Sequence, residues 1–148
     1  MSAILFKNAR LIDPEARRET KGDLLVVNGV IAPRDQLPKD VETIDCKGKV
    51  LAPGIVDIGV KIGEPGERHK EGFRSAGLAA AAGGVTTMVI RADTTPAIDT
   101  PETLAFALNR ARDRAPVNVF AMAALTKGRL GREMTEIGFL QDAGAVAF

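Results

Sequence analysis

Few side chains in this sequence can do chemistry, and those that can are thinly spread. The stretch DIGVKIGEPG, residues 57–66, starts with Asp57 at the end of an apolar run and finishes on a tight Pro-Gly turn. Alternate residues of a strand share a face, so Asp57, Gly59 and Lys61 would point the same way. That spacing suits a row of metal ligands, but the row holds a glycine with no side chain and a lysine with a cation. Asp57 and Lys61, on one face of the expected strand, read as a structural ion pair in preference to an active one. His69, the one histidine, reads as a solvated loop residue. Cys46, the one cysteine, has no histidine near it in sequence and reads as a packing or surface residue, not a nucleophile. Arg110, Arg112 and Arg114 read as a solvated helix face.

Composition removes whole classes of function. Lys and Arg total 20 against 19 Asp and Glu, so a net charge of +1 gives no footprint for nucleic acid or a membrane surface. All six aromatics are Phe, which leaves few platforms for stacking bases. One cysteine excludes an internal disulfide framework and fits a reducing compartment. MSAILFKNAR lacks the apolar core of a signal peptide, and no apolar run reaches the ~18–20 residues that span a bilayer. The expected location is the cytoplasm.

Two regions must position these residues. Residues 1–52 carry short β signals: ILFKNARLID, then DLLVVNGVIA with the hairpin dipeptide Asn28-Gly29, then two short pieces around Gly48. They predict a small β-sandwich segment whose strands need a partner sheet. From residue 53 to 148 the pattern alternates. Strands are expected near 55–60, 85–90, 117–123 and 145–148. Helices are expected over EGFRSAGLAAAAGG, TPETLAFALNRARDRA and REMTEIGFLQDAG. Thr100 is the expected N-cap of the second helix, with Pro101 at its first position and Leu104, Ala107, Leu108 and Ala111 on its apolar face. Such alternation implies parallel βαβ units. The fold class is therefore α/β, the N-terminal part of a (β/α)8 barrel, with about three βα units and a fourth strand. A whole barrel needs ~250 residues, so a longer parent protein is expected.

At this level of detail the chain resembles the dihydroorotase branch of the amidohydrolase superfamily. LAPGIVDIGVKIGEPG is similar to that family's first barrel strand and turn, AAAAGGVTT to its first helix end and second strand, and DTTPAIDTPE to its second strand-to-helix loop. LTKG and DAGAVAF carry the likeness to the last residue. The resemblance implies a barrel with a small β-sandwich and hydrolysis or closure of the cyclic amide of dihydroorotate with one or two zinc ions. Its first strand usually reads Asp-x-His-x-His-x-Arg-Glu-Pro-Gly, two histidines binding metal and the arginine holding the substrate carboxylate. Here the histidine positions are Gly59 and Lys61 and the arginine position is Gly63. An asparagine that also contacts substrate is replaced by Asp93. The motif keeps its frame and loses its functional atoms, with Asp57 the only possible residual ligand on the strand.

The resemblance therefore implies a member without catalytic or substrate-binding residues and without zinc, in pyrimidine biosynthesis. Inactive chains of this kind serve as structural partners of aspartate carbamoyltransferase, so that transferase is the expected partner and a homo-oligomer the expected form. The alternative is an active zinc-dependent cyclic amidohydrolase using ligands beyond residue 148. A fragment with no function of its own is the weakest option.

Overall fold

The computed structural model describes residues 2–148, which form two compact units, the first ending at Pro53 and the second running from Gly54 to Phe148. In the first unit, β1 (Ala3–Asp13) pairs antiparallel with β2 (Arg18–Val27), and β2 with β3 (Val30–Ala32). The connection between the last two is Asn28-Gly29, both at positive φ (49° and 81°), as a tight two-residue hairpin demands. β4 (Glu42–Asp45) and β5 (Val50–Leu51) lie parallel to β1. A bulge between Phe6 and Ala9 is held by the Asn8 amide donating to Asp23 Oδ1 at 3.0 Å. Among the described hydrophobic residues of this first unit only Leu5, Ala9 and Leu25 are buried, while Val30 and Ile31 are about two-thirds exposed at 67% and 68%. The unit is one five-stranded sheet with little of its apolar surface buried.

The second unit is a parallel sheet in the order β6 (Ile55–Val60), β7 (Val85–Ile90), β8 (Asn118–Met122), β9 (Ala145–Ala147), matching the four expected strands. Between them run α1 (Phe73–Ala82), α2 (Pro101–Arg114) and α3 (Ile137–Asp142). The helices cover one face. Phe73, Met88, Ile90, Leu104, Ala107, Ala121 and Leu140 form a continuous core there, all at most 1% exposed. On the other face Ile58 pairs in register with Val89, and Val89 with Phe120. Ile58 and Phe120 are 70% and 46% exposed. This is the face a closed barrel turns inward.

The helices end where their residues dictate. Ala79 to Ala82 carry α1 to Gly83-Gly84, and Gly84 leaves the helix with φ 80°. Thr100 Oγ1 accepts from the Thr103 amide at 3.3 Å, Pro101 opens α2, and Leu104, Ala107 and Ala111 are buried as its period requires. Thr100→Ala should therefore lower folding stability by about 1 kcal/mol, read as a shift in the denaturant midpoint with an unchanged slope. The third helix is shorter than expected, with only six residues. Its predicted first turn is engaged elsewhere. Met134 bridges to Thr126, the Thr135 amide donates to Leu125 O at 3.1 Å, and Thr135 Oγ1 to Ala124 O at 2.8 Å.

Candidate functional site

Parallel barrels place their chemistry at the C-terminal ends of the strands, here the segments following β6, β7 and β8. The first correction to the sequence reading lies in β6. Its register with β7 slips between Ile58 and Val60, and the extra residue is Gly59 with φ 99°. Asp57 is level with Met88, a core residue on the helix side, and Val60 and Ile62 also pack on that core. The inserted residue reverses the alternation, so Asp57 and Lys61 lie on opposite faces. They are not an ion pair. Asp57 is exposed and makes no salt bridge among the described residues.

Lys61 pairs instead with Asp93. Its Nζ lies 3.8 Å from Asp93 Oδ2, and Arg91 Nη2 donates to the same oxygen at 2.6 Å. The Arg91 amide donates to Val60 O at 2.9 Å, which extends the β6–β7 ladder and brings the two strand ends together. The Asp93 side chain is only 6% exposed, and its Oδ1 is buried with no hydrogen-bond partner. A buried carboxylate needs opposite charge beside it, and two cations provide it. The two positions singled out on separate motifs, 61 and 93, thus meet each other. Arg91 was missed by sequence reasoning. Its signal was a cation ending a β-branched apolar strand.

The arginine position of the motif is closed as well as empty. A Cβ on Gly63 would lie 2.4 Å from the carbonyl oxygen of Glu67 and 2.9 Å from that of Glu71. The Gly63 amide donates to Glu71 O at 3.1 Å, so the loop folds back directly over this residue.

Glu64, next in the chain, is 5% exposed. Its Oε1 accepts from Arg110 Nε at 2.6 Å and its Oε2 from the Phe73 amide at 3.3 Å. The residue before α1 is Gly72, which has no side chain to cap the helix, so the Glu64 carboxylate takes that place at the positive end of the helix dipole. Burial pushes the Glu64 carboxyl up, but the Arg110 hydrogen bond, the Phe73 amide and the guanidinium charge together carry it below its ordinary value. Arg110 is therefore not a solvated helix residue. Its side chain is 23% exposed, while Arg112 and Arg114 are exposed as expected.

His69 is exposed on the loop after β6, and Cys46 is half-buried in the first unit. No three His, Cys, Asp or Glu side chains among the described residues are grouped to hold a metal. Zinc takes neutral imidazole, thiolate or carboxylate at ~2.0–2.3 Å. Gly59 offers no atom, Lys61 offers a cation, and Asp57 faces away from Lys61. The residues present do not fit a zinc ion.

A family described as dihydro-orotase-like matches residues 48–148. A dihydroorotase from Streptococcus pneumoniae serotype 4 is 42% identical over 98% of this chain and 35% of its own length. One from Solibacter usitatus is 40% identical over 97% and 34%. Among solved structures, an L-hydantoinase (dihydropyrimidinase) from Arthrobacter aurescens superposes with a TM-score of 0.82 at 30% identity, over 100% of this chain and 32% of that one. The chain thus spans about a third of the length of the curated relatives it matches.

Proposed function

This chain belongs to the dihydroorotase-like family, and from that premise we propose that it is a catalytically silent member serving pyrimidine biosynthesis as a cytoplasmic, homo-oligomeric structural partner of aspartate carbamoyltransferase. The observation that carries the silent reading is the Lys61–Asp93 pair at the strand ends. Two unit charges 4 Å apart interact by about 4 kcal/mol at an effective dielectric near 20, and a divalent ion doubles that repulsion against the Lys61 ammonium. Gly63 withholds the planar fork that arginine offers a carboxylate.

The partner follows from the family resemblance, supported by a fold frame that keeps its strand order while its ligand positions have changed. Size-exclusion chromatography of the purified protein with aspartate carbamoyltransferase should give co-elution in a fixed ratio, with no dihydroorotate turnover in those fractions. Separate elution at micromolar concentrations would overturn the partnership. Turnover at ordinary enzyme rates, ~1–10³ per second, would overturn the silent reading and favour an active amidohydrolase with ligands beyond residue 148.

A further inference from the structure

The cluster at the ends of β6 and β7 carries more positive charge than its own carboxylate neutralises. Lys61 and Arg91, with side chains 61% and 49% exposed, converge on Asp93, which is 6% exposed. An ammonium has three donors and a guanidinium five. Only Arg91 Nη2 makes a side-chain hydrogen bond within the cluster, and Lys61 at 3.8 Å stands beyond hydrogen-bond reach. The neighbouring acid on the loop after β6, Glu67, is paired with Lys70 and also feels the Lys61 charge. Space is also open beside the cations, since a Cβ on Gly59 would meet only the Arg91 stem, at 3.8 and 4.0 Å.

We infer that Lys61 and Arg91 form a binding site for a small oxyanion, a carboxylate or phosphate group, with Asp93 as the buried counter-charge that holds the two cations together. The Lys61 ammonium supplies a point charge and the free edge of the Arg91 guanidinium supplies paired donors suited to two oxygens. The site takes an anion at a position where the family resemblance places a cation. It rests on the metal-free reading of this strand end.

The test is a titration of the purified protein with acetate, with inorganic phosphate and with chloride at constant ionic strength, following the backbone amide signals of residues 91–94. Acetate or phosphate should give a saturable shift that chloride does not, and the one saturating at lower concentration identifies the ligand type. Lys61→Gln should weaken binding at least tenfold, and Lys61→Gln with Arg91→Gln should abolish it, while signals elsewhere confirm an intact fold. A linear response, an equal response to chloride, or unchanged binding in Lys61→Gln would overturn the inference. Zinc measured in the same sample separates the two readings. A zinc-free protein that binds neither oxyanion overturns this inference alone, and a zinc-loaded strand end overturns both.

Discussion

Arg110→Ala should cost the protein about 3 kcal/mol of folding stability at neutral pH, the low end of the range for breaking a buried ion pair by removing one partner. The low end applies because Arg110 keeps 23% of its side chain in solvent. The variant leaves the Glu64 carboxylate, 7% exposed, with only the Phe73 amide as donor. Glu64→Gln removes the charge and keeps the shape, and should cost less, about 1 kcal/mol. The pH dependence has a definite sign. Glu64 is held below its ordinary value of 4.5 in the folded protein, so its contribution is full above that value and is lost as pH falls through the lowered folded value. Without Arg110, burial pushes the Glu64 carboxyl of the variant up, so the stability gap between parent and Arg110→Ala should be widest near neutrality and narrow as acid protonates that carboxyl first in the variant. Denaturant melts at several pH values read it directly, and a gap that widens on acidification would remove Glu64 from the account.

Local signals in the sequence reached the elements and stopped at their partners. The hairpin at Asn28-Gly29 and the cap at Thr100 were legible because each is decided within four residues by turn chemistry and an orphan amide. The parallel strand order followed from alternation of period, because right-handed crossovers leave little choice. The bulge in β6 was not legible. A glycine in a strand is compatible with regular pairing and with insertion, and only the pairing to β7 decides which. Lys61 was assigned the wrong partner for the same reason, since reading along one strand cannot see Asp93 on the next. Glu64 and Arg110 are 46 positions apart, and no periodicity links a loop acid to a helix cation. The available hint was indirect: α1 begins after Gly72, so some other group had to meet its free amides.

In a full-length protein that keeps the family's later ligands, Gly59→His with Lys61→His should give zinc uptake and still no hydrolysis of dihydroorotate. Residues 59 and 61 flank Val60, whose side chain packs on the core, so both can project away from it. Strain opposes this pair, because Gly59 holds φ 99° and a histidine there costs about 1–2 kcal/mol. Losing the Lys61 contact costs less, since that side chain is 61% exposed. Zinc at a hundredfold excess over its dissociation constant returns about 2.7 kcal/mol, which exceeds the strain. The double variant should thus melt below the parent without zinc and above it with zinc, with about one zinc per chain by elemental analysis against none in the parent. Zinc retained by the parent after dialysis, and lost in Asp57→Ala, would contradict this. Activity is a separate matter. Gly63→Arg would drive its Cβ to 2.4 Å from the Glu67 carbonyl, so the arginine cannot enter unless the loop over it moves. Asp93→Asn would leave Lys61 and Arg91 without the charge that gathers them. Metal without a carboxylate clamp leaves the substrate unpositioned, and positioning is worth ~7–11 kcal/mol in well-oriented reactions. The substitutions at 63 and 93 must therefore be accompanied by a rebuilt 67–71 loop before turnover appears, and turnover in the double variant alone would show that the loop was never the obstacle.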